Sequence, residues 1–174
     1  MELDKKSLRK KLIQMRLSFD DYQKQSHLII DKLIKDPHFI AAKKIGIYLS
    51  YRNEVDTWQI VNKYFKEKEI YVPVVDGKEM YFVLFDKKLE KNKYQIYEPI
   101  DKHIINKDEL DLIVVPLVGF DKDNYRLGYG GGYYDRYLAN YPGYTIGLAY
   151  SFQLIDNYKK EDFDIALDQI ITDI

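Results

Sequence analysis

An α/β layered fold, with a mainly parallel central sheet flanked by helices, is what this sequence predicts, and three observations carry it. Short runs of aliphatic and β-branched residues alternate with helix-type segments along the chain. One run, Asp111-Leu-Ile-Val-Val-Pro116, is apolar at consecutive positions and reads as the clearest buried strand. A strand–helix–strand unit between Lys44 and Val74 implies a parallel pair joined by a right-handed crossover. A length of 174 residues suits one domain with one packed core, so residues 1–174 are expected to form a single unit.

The elements follow in order. Leu3 to Leu17 reads as a helix, with Leu8, Leu12 and Met15 at i, i+4 and i+7. Ser18, with Asp21 three residues on, offers a capping box for a second helix from about Phe19 to Lys35, which Pro37 ends. Lys44 to Ser50 reads as a buried strand, Thr57 caps a third helix from Trp58 to Lys68, and Ile70 to Val74 is the next strand. After the Asp76-Gly77 turn, Glu79 to Phe85 alternates apolar and polar positions as a further strand does. Lys87 to Lys107 is charged and irregular, with Tyr97-Glu98-Pro99 its distinctive words. Beyond Pro116 a loop leads to a glycine-rich run and a helix from about Tyr133 to Asn140. Tyr144 to Tyr150 is then a strand, and Leu167 to Thr172 a short last one. No internal repeat, low-complexity tail or linker interrupts the order.

Composition narrows the function classes. Zero cysteines exclude disulfides, thiolate catalysis and cysteine-ligated metal, and His27, His38 and His103 lack metal-ligand spacing. Lysine plus arginine at 27 against 28 acidic residues gives a net charge of −1, which argues against a nucleic-acid partner. No segment reads as a signal peptide, and no apolar run approaches the roughly 18–20 residues of a membrane span. A cytoplasmic protein without a membrane or obligate protein partner is expected. The 17 tyrosines read as codon bias except where they flank the glycines.

Chemistry converges on Arg126-Leu-Gly-Tyr-Gly-Gly-Gly-Tyr-Tyr-Asp135, where four of nine glycines fall within five positions. Glycines expose backbone N–H groups and let the chain bend, arginine supplies a fork for phosphate oxygens, and aspartate suits a metal. A tight structural turn is the alternative reading. No Gly-Lys-Ser/Thr follows, so this is not a Walker loop, and no strand leads straight into the glycines as a dinucleotide fingerprint requires. In parallel sheets ligands bind beyond the carboxyl ends of strands. The loops after Pro116 and after Leu49 therefore share one crevice in this reading, with Glu54 facing the Arg126 loop. On the first helix Lys5, Arg9 and Arg16 fall within about 40° of one another beside the leucine stripe. There they either form a solvated face or reach over the core edge to a bound anion.

These words occur together in one family. Gly119-Phe-Asp121 with Arg126 to Asp135 resembles the signature of the 5-formyltetrahydrofolate cyclo-ligases, also called 5,10-methenyltetrahydrofolate synthetases. Lys5-Lys-Ser-Leu-Arg9, Tyr48-Leu-Ser with Glu54-Val-Asp-Thr57, Glu98-Pro99 and Asp168-Gln-Ile-Ile-Thr172 fit the family's order over nearly the whole chain. The resemblance implies a fold like those of ribose-phosphate isomerases and CoA transferases. It implies Mg2+- and ATP-dependent conversion of 5-formyltetrahydrofolate to 5,10-methenyltetrahydrofolate, releasing ADP and phosphate. The formyl oxygen takes the γ-phosphoryl group, N10 attacks the activated carbon and phosphate leaves. By resemblance Lys5, Arg9, Arg126 and the run Leu127, Gly128, Tyr129, Gly130, Gly131, Gly132, Tyr133 and Tyr134 bind ATP, with Arg126 also catalytic. Leu49, Glu54, Tyr129 and Tyr133 contact the folate, and Asp135 with Asp168 holds Mg2+. Two departures stand out: many relatives carry a basic residue at Tyr129 or Gly131, and His-Asp where this chain has Phe163-Asp164. A sugar-phosphate or CoA-handling enzyme on the same fold is the alternative.

Overall fold

A computed structural model describes residues 4–174. The helices are α1 (Lys5–Leu17), α2 (Tyr22–Lys35), α3 (Pro37–Ala41), α4 (Trp58–Tyr64) and α5 (Tyr133–Leu138). The strands begin with β1 (Lys44–Ile47), β2 (Glu69–Asp76), β3 (Glu79–Leu84), β4 (Leu89–Lys91) and β5 (Tyr97–Pro99). They continue with β6 (Leu112–Val115), β7 (Gly119–Phe120), β8 (Arg126–Leu127), β9 (Tyr144–Leu148) and β10 (Gln169–Ile171). Six strands form the central sheet in the order β10-β9-β6-β1-β2-β3. Every pair is parallel except β2–β3, where the Gly77 turn makes a hairpin with Asp76 opposite Glu79. The α/β architecture read from the sequence is therefore observed, including the parallel β1–β2 pair across α4.

The core explains why β6 is so legible. Its side chains alternate between two layers, Leu112 and Val114 in one and Ile113 and Val115 in the other, and all four are fully buried. Each such burial contributes roughly 1.5–3 kcal/mol before chain entropy is charged, so a run of four apolar residues is favoured only in a central strand covered on both faces. Ile29, Leu33, Phe39, Ile60 and Val61 from α2, α3 and α4 cover the first face. Tyr134 and Leu138 of α5 cover the second. Helix α1 stands apart on a small cluster of Leu12, Val118 and Leu127.

Several local expectations change. Ser18 does not cap α2; its hydroxyl donates to the Gln14 carbonyl at 2.9 Å and closes α1, where helix-end carbonyls lack partners. Asp21 takes the N-cap position of α2 without a side-chain hydrogen bond. Pro37 ends α2 as expected but also opens α3, whose first turn tolerates it, with Asp36 accepting from the His38 N–H at 2.8 Å. Thr57 stands at the start of α4, yet its hydroxyl accepts from the Ser50 N–H and donates to the Tyr48 carbonyl. Asp56 accepts from the Trp58 N–H instead. α4 stops at Tyr64, short of Lys68. The charged stretch after Lys87 contains the β4–β5 hairpin, whose short strands lack a hydrophobic alternation to announce them. Leu3, the expected first residue of α1, lies outside the described residues.

Candidate active site

A cavity of about 530 Å³ opens beyond the carboxyl ends of β1, β2 and β6. Its walls are the loop after β1 (Tyr48 to Glu54), Pro116 after β6, the glycine run and the N-terminal half of α1, with Tyr94 and Ile96 from the β4–β5 hairpin on its rim. This is the crevice expected of an open parallel sheet. The parallel pairing puts the strand ends that carry Leu49 and Pro116 on the same edge, so two segments distant in sequence face each other.

One wall is built around Glu54, which is only 6% exposed. Its Oε1 accepts from the Tyr51 N–H at 3.0 Å and its Oε2 from the Tyr129 hydroxyl at 2.9 Å. Tyr129 in turn accepts from Arg16 Nη2 at 2.7 Å. Burial pushes the Glu54 carboxyl above its ordinary value, against the pull of Arg16 and of the two hydrogen bonds. Burial, with the Glu54 charge beside it, drives the Tyr129 phenol far up, so it stays protonated and donates. The loop carrying Glu54 runs through Arg52 and Asn53, both in the left-handed region at φ 52° and 59°. Leu49 packs nearby on the cavity wall.

The opposite wall is cationic. Arg126, on β8, is 6% exposed; its Nη1 donates to the Pro116 carbonyl at 3.2 Å, while its buried Nε has no partner among the described residues. Its guanidinium lies 5.1 Å from the Tyr134 ring centre. Burial pushes its pKa down and Asp135 pulls it back. Gly130 (φ 101°) and Gly132 (φ 71°) bend the loop through conformations other residues resist. Arg9 lies along that bend, its Nε donating to the Gly128 carbonyl at 2.8 Å. Lys5 reaches Glu161 at 2.9 Å and Asp164 at 3.4 Å. Partial burial opposes the Lys5 charge, but these carboxylates more than compensate and raise its pKa. Asp135, half-buried, accepts from the Ile165 N–H at 3.4 Å, and burial raises its carboxyl pKa against the field of Arg126.

Most of the residues expected at a site thus meet: Lys5, Arg9, Leu49, Glu54, Arg126, Gly128 to Tyr134 and Asp135 all line this cavity. Two do not. Leu127 alternates away from Arg126 on β8 and packs with Leu12 and Val118 beneath α1. Asp168 lies at the start of β10, where its Oδ2 accepts from the N–H and hydroxyl of Thr145 at 2.9 and 3.1 Å. Thr145 sits near the amino end of β9, so Asp168 is on the edge of the sheet away from the glycine run. Arg16 was visible in the sequence as one of three aligned cations, but its burial at 1% exposed was not. Of the residues that surround Lys5, Asp164 stood out in the sequence only beside Phe163 as a departure from the family's pattern, and Tyr158 and Glu161 carried no local signal.

The geometry has counterparts. The model of the "5-formyltetrahydrofolate cyclo-ligase family" matches residues 2–173. A 5-formyltetrahydrofolate cyclo-ligase of Mycoplasma pneumoniae is 35% identical, over 98% of this chain and 99% of that protein. One from Haemophilus influenzae is 34% identical, over 75% of each. The solved structure of Aquifex aeolicus 5,10-methenyltetrahydrofolate synthetase superposes with a TM-score of 0.87 at 34% identity, covering 97% of this chain and 89% of that one. The Mycoplasma pneumoniae 5,10-methenyltetrahydrofolate synthetase structure gives 0.81 at 30% identity, over 99% and 100%. With the fold, the glycine signature and a match over nearly its whole length in agreement, this chain belongs to the 5-formyltetrahydrofolate cyclo-ligase family and is a ligase.

Proposed function

We propose that residues 1–174 act as one catalytic domain that closes 5-formyltetrahydrofolate to 5,10-methenyltetrahydrofolate at the expense of MgATP. The observation that carries this reading is the meeting of the glycine run and Glu54 across one cavity in a member of this family. A formyl amide oxygen is a poor leaving group, and transfer of the γ-phosphoryl group onto it makes departure as phosphate possible once N10 attacks the carbon. Such transfer depends on alignment and charge neutralisation rather than on a protein nucleophile, which suits a cavity whose wall offers guanidinium groups and bent backbone.

The assigned roles follow from chemistry. Arg126, with a buried Nε lacking a partner among the described residues, suits the oxygens of the transferred phosphoryl group. Arg9 and the backbone from Gly128 to Tyr134 suit the remaining phosphates, and Lys5 can exchange Glu161 for a phosphate oxygen at small cost, since that pair is partly exposed. Glu54 and Leu49 suit the pterin end of the folate, with Tyr129 and Tyr133 between the two ligands. Mg2+ keeps several waters and binds through one or two carboxylates plus phosphate oxygens. Asp135, a half-buried carboxylate on the cavity wall, fits that requirement; Asp168, already occupied by Thr145, does not. When bound, the ion would neutralise phosphate charge.

The test is direct. Mixing the protein with 5-formyltetrahydrofolate and MgATP should produce the absorbance of the methenyl product, dependent on nucleotide and abolished by chelating the metal. No absorbance at high enzyme concentration would sink the assignment.

A further inference from the structure

We infer that Arg16 is a positioning residue: from beneath the cavity it fixes the Tyr129 hydroxyl as a donor to Glu54 and ties together the two loops that meet there. The inference rests on the reading of Glu54 as the pterin contact.

Arg16 lies in the last turn of α1 and is the largest fully buried side chain of the described residues. Among the described residues no carboxylate pairs with it directly. Its Nε donates to the Arg52 carbonyl at 3.1 Å, in the loop that presents Glu54, and its Nη2 donates to Tyr129 at 2.7 Å, in the glycine run. A phenol carries one proton, and a guanidinium only donates. The Tyr129 proton therefore has one direction left, toward Glu54 Oε2 at 2.9 Å. With Oε1 held by the Tyr51 N–H at 3.0 Å, the plane of the carboxylate is set.

The backbone points the same way. Arg52 and Asn53 are consecutive non-glycine residues in the left-handed region, which persists only where the surroundings over-determine it. The end of α1 does this: besides the Arg16–Arg52 bond, the Asn53 amide donates to the carbonyls of Arg16 and Leu17, both at 3.2 Å. The strained loop is thus clamped to the same turn that orients Tyr129.

Among the described residues the groups facing Glu54 are Arg16 from α1, Tyr48 after β1, Tyr51 on its own loop, Tyr129 on the glycine run and Tyr134 on α5. Arg16 is the cation of this set. Burial favours the protonated carboxyl, while Arg16 and the Tyr129 hydrogen bond favour the ionised one. Loss of either lets Glu54 take up its proton at higher pH, and a protonated Glu54 is a weaker acceptor for pterin N–H groups.

Tyr129→Phe in the full chain is the first test, because the partly exposed ring is retained. The KM for 5-formyltetrahydrofolate should rise about tenfold, as for loss of a hydrogen bond to a charged group, and clearly more than the KM for MgATP. The acid limb of kcat/KM for the folate should move up by about one pH unit. Arg16→Lys, which keeps charge but not two-pronged reach, should move the limb in the same direction, and the double variant should fall short of additivity. Equal rises in both KM values with the limb unmoved would overturn the inference and leave Arg16 a structural residue. Glu54→Gln separates the two levels. If it raises the folate KM while Tyr129→Phe moves neither KM nor limb, the positioning role alone fails. If Glu54→Gln leaves the folate KM at the wild-type value, the pterin reading of Glu54 fails and takes the inference with it.

Discussion

Arg126 occupies a place where a guanidinium is costly. It is buried, its Nε has no partner among the described residues, and among them its charge is compensated by the Tyr134 ring and the nearby field of Asp135 rather than by a direct ion pair. A protein that retains such a residue holds an uncompensated donor ready for an anion, so Arg126 is where a phosphate contact should matter most. Arg126→Ala is expected to lower kcat/KM for ATP at least tenfold, since a charge-assisted hydrogen bond is worth about 1.5–3 kcal/mol. Steady-state kinetics checks it; an unchanged rate would make the glycine run a structural turn. At this scale the sequence was informative about residue type and silent about environment. Arg126 and Arg16 read alike as cations near a motif, yet one keeps a buried Nε without a partner among the described residues and the other spends donors holding two loops.

At the scale of elements, the glycine run works because it is short and tied at both sides. Gly132 opens α5 at φ 71°, and Arg136 in that helix donates back to the Gly131 carbonyl at 2.9 Å and to Lys78 of the β2–β3 turn at 2.8 Å. Tyr133 donates to the neighbouring Gly77 carbonyl at 2.7 Å. A Cβ on Gly132 would meet Arg136 Nη1 at 2.6 Å besides forcing an L-residue into the left-handed region. Gly132→Ala should therefore cost about 1–2 kcal/mol of stability and raise the KM for MgATP more than that for the folate. Denaturant melts and kinetics on one preparation decide it, and a variant with wild-type ATP kinetics would detach the bend from nucleotide binding. Elements whose signal is local were legible: the apolar stripe of α1, the buried run of β6, the Asp76-Gly77 turn. Side-chain roles and the shortest strands were not. Ser18 read as the N-cap of α2 but closes α1 through the local Gln14 carbonyl, and Thr57 stands at the N-cap of α4 with its hydroxyl engaged by Tyr48 and Ser50 after β1 instead of by the helix. The β4–β5 hairpin, with three-residue strands and little apolar content, had no periodicity to read.

At the scale of the molecule, the cavity is assembled from segments 36 to 119 residues apart in the chain. α1 supplies Arg9 to the wall and Arg16 beneath it, the loop after β1 supplies Glu54, and the run before α5 supplies Tyr129. A ligand spanning these segments should couple to global stability. At a hundredfold excess over its Kd, MgATP should add about 2.7 kcal/mol, a Tm rise of roughly 5–10 °C for a chain of this size. Thermal melts with and without MgATP check this, and absence of a shift in wild type would count against nucleotide binding in this cavity. Arg126→Ala should reduce the rise.

By itself the sequence determined the α/β class, the order of most elements, the glycine signature and the family it marks, because hydrophobic periodicity, turn chemistry and contiguous motifs are local properties. Tertiary structure decided which side chains those elements bring together. It turned Leu127 into the small core under α1, bound Asp168 to Thr145 at the far edge of the sheet, and buried Arg16 between two loops. These outcomes depend on strand register and on where a helix lands against a sheet edge. Such relations are set by burial of distant apolar surfaces, and no window of neighbouring residues encodes them.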